Sequence, residues 1–146
     1  METDRLIRKV LSEARVIALV GASPKANRPS FGVFRFLQAQ GYRVIPVNPG
    51  LAGGILHGQT VYENLTSIPE EVDMIDIFRT SDAVPGIVTE ALARFPSLKS
   101  VWMQLGVLHP EAAALARARG VDVVQDHCPA IEIPRLFGQS PLSGAP

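Results

Sequence analysis

The feature that most constrains the fold is the regular alternation of short apolar runs with segments of helical periodicity. Nearly every residue in each run is apolar, so neither face of the corresponding strand is suited to solvent. Strands of this kind are typical of a parallel sheet that is covered by helices on both faces. The runs are VIALV (16–20), RVIPV (43–47), MIDIF (74–78), SVWMQL (100–105) and VDVVQ (121–125).

The segments between the runs predict the rest of the architecture. Helices are predicted after Thr3, from about 30 to 40, after Ser81 and Asp82, from His109 to Gly120, and over 131–137. With right-handed crossovers, this pattern predicts one α/β domain over residues 1–137, with a Rossmann-like doubly wound fold. We expect a five-stranded parallel sheet in the order 3-2-1-4-5, with helices on both faces. Residues 138–146 are expected to form a flexible tail.

A doubly wound sheet binds its ligands beyond the carboxyl ends of the strands, where the strand order reverses. In this sequence the rule selects four short segments, which are 21–28, 48–50, 78–81 and 104–107. The glycine-rich segment 50–69 is the least regular part of the chain. It is either a flexible loop over the ligand or a simple surface connection.

Composition excludes several classes of function. Lys and Arg together number 14, as do Asp and Glu, so no excess of positive charge favours nucleic acid or an anionic membrane. No apolar stretch approaches the roughly 18 residues of a membrane helix, and the charged N-terminus has no secretory signal. The lone Cys128 cannot form an internal disulfide, so we expect a cytoplasmic protein. No metal-ligand motif is present, and we predict no metal site.

The segment after the first run indicates an anion site. Gly21 permits a tight turn, and Lys25 and Arg28 supply positive charge before a helix whose first N–H groups can face an anion. Ser23 stands where a dinucleotide-binding loop has its second glycine. An ordinary strand-to-helix turn with two solvated cations remains the alternative.

The ends of the next two strands argue against NAD. An NAD site usually has an acidic residue after the second strand to bind the ribose, whereas this chain has Asn48 and Pro49 there. Arg79 follows the third strand directly and adds a further cation to the same edge. Several cations without a ribose-binding acid favour a ligand that carries several phosphates.

Five motifs in order give the chain a family resemblance: VGASPKANRPSFGV, VIPVNPG, DMIDIFR, WMQLGV and VVQDHCP. Together they resemble the small CoA-binding proteins, a family similar to the N-terminal CoA-binding domain of the succinyl-CoA synthetase alpha subunit. The resemblance extends from about Val16 to Phe137 and implies a Rossmann-like domain with coenzyme A as its cofactor.

The resemblance also implies a set of cofactor-binding residues. Arg28 is expected to pair with a phosphate of CoA. The remaining residues are expected at the phosphates (Gly21, Ala22, Ser23, Pro24, Lys25), along the nucleotide (Val47, Asn48, Pro49, Phe78, Arg79) and beside the ligand where the fourth strand ends (Gln104, Leu105, Gly106).

Two classes of function remain. The first is a CoA-binding or acyl-CoA-binding module without a catalytic site, because the strand ends offer no nucleophile with a base. The second is an enzyme, either a nucleotide-dependent oxidoreductase or an acyl-CoA enzyme subunit that needs a partner chain. In the synthetase a separate domain supplies the phosphorylated histidine, and nothing in this sequence can encode that domain.

Three single residues complete the predictions. Asp76 lies within an apolar run and is expected to pair with backbone N–H groups or an arginine, because an unpaired buried carboxylate is costly. Trp102 is expected in the core. Cys128 is expected to be a small buried residue, with a mixed disulfide to the CoA thiol as the alternative.

Overall fold

The structure, a computed structural model, describes residues 3–138. Most of the predicted C-terminal tail, residues 139–146, lies outside the described residues. In chain order the elements are α1 Asp4–Glu13, β1 Val16–Val20, α2 Pro29–Ala39, β2 Arg43–Val47, β3 Ile55–Leu56, β4 Gln59–Thr60, β5 Met74–Ile77, α3 Val84–Arg94, β6 Ser100–Met103, α4 Pro110–Ala118, β7 Asp122–Val124 and α5 Pro129–Phe137.

The sheet and its two helical layers confirm the predicted fold class. Five parallel strands pair in the order β2-β1-β5-β6-β7, and helices cover both faces. Successive residues of a strand point to opposite faces, so in β1 Ile17 and Leu19 pack under α1, α2 and α5, whereas Ala18 and Val20 pack under α3 and α4. The apolar runs are therefore apolar because both faces of each strand are buried.

The predicted order of the strands is wrong. When only the five parallel strands are numbered in chain order, the sheet reads 2-1-3-4-5 instead of 3-2-1-4-5. The chain between β2 and β5 places Leu65, Ile68 and Val72 on the face of α3 and α4. A right-handed crossover on that face carries the chain back past β1, whereas a third strand beyond β2 would need a crossover on the face of α2. The strand order consequently reverses between β1 and β5.

The glycine-rich segment forms a small antiparallel hairpin of β3 and β4. His57, at its turn, lies against the rings of Phe31 and Phe34, with centroid separations of 4.6 and 4.9 Å. Tyr62 then runs along β2, donating its N–H to Pro46 and accepting the N–H of Asn48, each at 3.0 Å. The segment is thus a surface connection that packs against α2 and β2.

The two unusual strand residues differ in outcome. Trp102 is fully buried, as predicted, and its indole N–H donates to the carbonyl of His127 at 2.8 Å. Asp76 is also fully buried, next to Leu19 and Trp102 in the sheet register, but neither carboxyl oxygen has a hydrogen-bond partner among the described residues. The prediction that Asp76 is paired is therefore wrong. Burial raises the pKa of the Asp76 carboxyl well above its ordinary value, so the group keeps its proton as the pH rises.

Candidate functional site

Two adjoining cavities lie at the carboxyl edge of the sheet. The β2 cavity, about 520 Å³, extends from the switch point toward the end of β2 and includes Ala22, Ser23, Val47, Asn48 and Pro49 in its lining. The β6 cavity, about 460 Å³, extends toward the end of β6 and is lined by Pro29, Ser30, Val33, Gln104, Leu105, Gly106, Val107 and Cys128. The residues that line both cavities are Gly21, Arg28, Phe78, Arg79 and Thr80. The two cavities therefore form one cleft, and its centre lies where the strand order reverses.

Gly21 allows the chain after β1 to pass close to the chain after β5. Its φ is +93°, in the left-handed region that favours glycine, and a Cβ at this position would lie 2.7 Å from the carbonyl oxygen of Phe78. The N–H groups of Gly21 and Ala22 both point to the carbonyl of Val47, at 3.0 and 3.3 Å. These two amides hold the loop to β2, and phosphate would have to meet other donors.

Positive charge is concentrated at the centre of the cleft. Arg28 and Arg79 line both cavities, and neither guanidinium makes a hydrogen bond or ion pair among the described residues. The hydrogen bond from Thr80 and, more weakly, the charge of Arg79 lower the pKa of the Asp82 carboxyl. The first turn of α2, which begins at Pro29, contains no acidic residue. The partial positive charge at this helix end therefore adds to that of the two arginines.

The β2 cavity is polar, but part of its polar surface is already used. Asn48 donates to the carbonyl of Ala22 at 2.7 Å and accepts the N–H of Gly50 at 2.8 Å. Ser23 accepts the N–H of Lys25 at 3.1 Å and still has its hydroxyl proton to donate. Asn48 consequently fixes the loop after β1 to the end of β2.

The β6 cavity is more apolar and contains unpaired polar groups. Ser30 and Gln104 are 4% and 5% exposed. The side-chain carbonyl of Gln104 is buried without a hydrogen-bond partner in residues 3–138. The Ser30 hydroxyl makes no hydrogen bond to another residue of that range. Cys128, 7% exposed, lies at the N-cap of α5 on the wall of the same cavity.

The structure brings nearly all predicted cofactor-binding residues together. Only Pro24 and Lys25 line neither cavity, and both are exposed. Contact of the lining residues with CoA stays a prediction. The prediction omitted Val20, Pro29, Ser30, Val33, Thr80, Val107 and Cys128, which line the cleft as well.

A sequence signal existed for some of the omitted residues. Pro29 and Ser30 open the helix that follows the loop, and Cys128 follows the fifth run at the same sheet edge. Val33 gave no such signal, because an apolar residue one turn into a helix has the pattern of ordinary core.

The described residues offer neither a metal site nor a membrane-spanning helix. In residues 3–138, no three His, Cys, Asp or Glu side chains are grouped so that they can hold a metal ion. Across that same range, no helix has both the length and the apolar character needed to cross a membrane.

Comparison with known proteins assigns the family. The profile of the CoA binding domain matches residues 15–134. Uncharacterized protein YneT of Bacillus subtilis is 31% identical over 122 residues, which cover 84% of this chain and 87% of YneT. The solved structure of cell-free ID.343 from Thermus thermophilus is 39% identical, with a TM-score of 0.85 over 93% of this chain and 100% of that chain. A hypothetical protein from Pyrococcus horikoshii OT3 is 34% identical, with a TM-score of 0.86 over 94% of each chain. The chain belongs to the CoA-binding domain family.

Proposed function

We propose that this protein binds coenzyme A or an acyl-CoA in the cleft and does not itself catalyse a reaction. The observation that carries the proposal is the pair of guanidinium groups, Arg28 and Arg79, which lie unpaired where the two cavities meet. In a member of the CoA-binding domain family, these groups are suited to the phosphates of CoA, because charge-assisted hydrogen bonds to phosphate are among the strongest.

The shape of the cleft supports a binding mode in which the two halves of CoA occupy the two cavities. With the pyrophosphate at Arg28 and Arg79, the nucleotide would extend into the polar β2 cavity, along Asn48 and Pro49. The pantetheine arm would extend in the other direction, into the more apolar β6 cavity. Neither cavity is lined by an Asp or Glu in the described part of the chain, so an NAD ribose would lack its usual acceptor.

The chemistry of the lining supports binding without catalysis. Its polar members in residues 3–138 are serine, threonine, asparagine, glutamine, arginine and one cysteine. None of the described lining residues is a histidine, lysine or carboxylic acid, the usual general bases. A neutral overall charge and a ligand confined to the cell interior support a cytoplasmic protein that does not bind nucleic acid.

A second candidate is a CoA-binding subunit whose catalytic groups come from a partner chain. Leu105, on the wall of the β6 cavity, and Leu108, three residues later, are 55% and 52% exposed. Exposed apolar residues beside a ligand cavity are suited to contact with another protein. In that case this chain would bind the CoA, and the partner chain would supply the groups that react with it.

Calorimetric titration tests the proposal. CoA, acetyl-CoA, dephospho-CoA, NAD and NADP would be titrated at one salt concentration into wild type and Arg28→Ala. We expect CoA to bind more tightly than either dinucleotide and to lose affinity in the variant. Tighter binding of NAD or NADP than of CoA would disprove the proposal. A large loss with dephospho-CoA would show that the ribose 3′-phosphate is also bound.

A further inference from the structure

The β6 cavity has the protein's one thiol in its wall. Cys128 lines this cavity together with Ser30 and Gln104, which are also almost fully buried. The full sequence contains a single cysteine, so no second thiol of the chain can pair with Cys128. Any disulfide of Cys128 within one molecule must therefore be to a bound ligand.

The loop that carries Cys128 is fixed to the end of β6. The neighbouring His127 donates its N–H to the carbonyl of Met103 at 3.2 Å and accepts the indole N–H of Trp102 at 2.8 Å. Asp126 accepts the N–H of Gly106 at 2.7 Å. These contacts fix the loop to β6 and to Gly106, which lines the cavity, so the backbone that carries the sulfur has a defined position.

An unpaired hydroxyl gives independent evidence for a ligand in this cavity. Ser30 is 4% exposed and lines the cavity, and its hydroxyl has no hydrogen-bond partner in residues 3–138. An almost fully buried hydroxyl without a partner costs free energy unless a ligand supplies the hydrogen bond. An extended arm that is mostly apolar but has amide groups can supply it. The pantetheine arm of CoA is such a group, and it ends in a thiol.

We infer that Cys128 forms a mixed disulfide with the thiol of CoA, by exchange with the disulfide of oxidised CoA. The inference rests on the proposed binding of CoA in the cleft. The Cys128 thiolate attacks one sulfur of the CoA disulfide, the new S–S bond forms, and the old S–S bond breaks. The second CoA leaves as a thiolate and takes a proton from water. No other oxidant is needed, because the CoA disulfide is the species that is reduced.

The reverse exchange releases the ligand. A reduced low-molecular-weight thiol attacks the mixed disulfide and restores the Cys128 thiol. The protein therefore retains CoA covalently when CoA disulfide accumulates and releases it when reduced thiols return. This behaviour is a redox response of a binding site and requires no further residue of the chain.

Intact-mass spectrometry without reductant tests the inference. Wild type and Cys128→Ser are incubated with CoA disulfide or with pantethine, the disulfide that has the same thiol arm but lacks the nucleotide. We expect wild type to gain the mass of one CoA less two hydrogen atoms, and to react with CoA disulfide at least about tenfold faster than with pantethine, because binding positions the sulfur. Cys128→Ser should gain no mass, and dithiothreitol should reverse the wild-type reaction.

Calorimetry with reduced CoA in the presence of reductant separates this inference from the proposed function. If reduced CoA binds to wild type but CoA disulfide leaves the mass of wild type unchanged, the mixed disulfide is disproved and the binding function stands. Equal rates with CoA disulfide and pantethine would also disprove it, because the thiol would then be merely accessible. If reduced CoA does not bind at all, the proposed function itself is wrong.

Discussion

Charged side chains are paired at the amino end of the parallel sheet, whereas two arginines at its carboxyl end have no partner among residues 3–138. At the amino end, Arg43 contacts both carboxyl oxygens of Glu70 at 2.6 Å. There Asp73 accepts the N–H groups of Arg15 and Val16 at 2.7 and 3.0 Å. At the carboxyl end, the charged groups of Arg28 and Arg79 have no such partner in residues 3–138.

The difference shows that a chain with no net charge can still have a local excess of positive charge at one end of its sheet. The chain has equal numbers of acidic and basic residues, and the acids that face the amino end are used to pair cations or backbone N–H groups. At the carboxyl end, Asp126 accepts a backbone N–H and Asp82 accepts the hydroxyl of Thr80. The arginines of the cleft are left available for an anion. The amino end thus contributes to stability and the carboxyl end is available for binding.

The largest effect is expected at Gly21, which follows β1 directly and lines both cavities. Gly21→Ala should lose about 2–4 kcal/mol of unfolding free energy, because it adds left-handed strain and a contact with the Phe78 carbonyl. Gly120→Ala is the matched control, since its φ is +81° and nothing lies within 4 Å of the added Cβ. It should lose only the strain, about 1–2 kcal/mol. Urea unfolding of both variants measures the difference, and equal losses would show that the close approach has no cost.

The next effect is the pH dependence of the unfolding free energy, which arises from the carboxyl group of Asp76 within β5. Because burial raises the pKa of Asp76 in the folded protein, its proton is bound more tightly there than in the unfolded chain. Its stabilising contribution is complete below the unfolded pKa, near 3.8, and is lost as the pH rises toward the folded pKa. Over that window the unfolding free energy should fall by up to about 1.4 kcal/mol per pH unit relative to Asp76→Asn.

Denaturant unfolding of wild type and Asp76→Asn at intervals between pH 5 and pH 7 measures this slope. Parallel pH profiles for the two proteins would mean that Asp76 is already ionised when folded and has partners that the structure does not show.

Removal of a cleft cation should separate binding from stability. Arg28→Ala or Arg79→Ala should weaken CoA binding by roughly ten- to a hundredfold, because each loses a charge-assisted contact of about 1–3 kcal/mol. The unfolding free energy should change by less than about 0.5 kcal/mol, since neither guanidinium has a protein partner in residues 3–138. Titration calorimetry and urea unfolding on the same samples measure both. A variant that loses stability but binds CoA normally would show that its arginine serves the fold and not the ligand.

The smallest effect is expected at the amino end. Arg43→Ala should lose about 1 kcal/mol or less of stability, because the Arg43–Glu70 pair is partly exposed, with side-chain exposures of 47% and 35%. Its affinity for CoA should equal that of wild type. Salt should reduce the difference in stability, since exposed pairs are screened. If Arg43→Ala weakened CoA binding as much as Arg28→Ala does, the two ends would not be functionally distinct.

The predictions from sequence succeeded where a local pattern decides the structure. The apolar runs became the five parallel strands, and residues directly after those runs line the cleft, because the carboxyl ends of parallel strands share one edge. The order of the strands failed because periodicity does not reveal the face on which a connection runs. Leu65 and Ile68 decide that face by their packing, in a segment without helical periodicity.

The prediction for Asp76 failed for an equally physical reason. Its pairing was inferred from the average cost of a buried carboxylate, whereas burial raises the pKa of this carboxyl and so favours the uncharged form, which is less costly to bury. Lys25 and Pro24 were included by motif and lie outside both cavities, and their contact with CoA stays a prediction. Val33 required knowledge of how α2 crosses the sheet.

The contact of Tyr62 with β2 also affects self-association. An uncovered edge strand can pair with the edge of another molecule and start aggregation. Here Tyr62 uses the outward carbonyl of Pro46 and the N–H of Asn48, and Pro46 itself has no N–H to offer. The opposite edge, β7, is only three residues long. Both margins of the sheet therefore resist growth into a continuous intermolecular sheet.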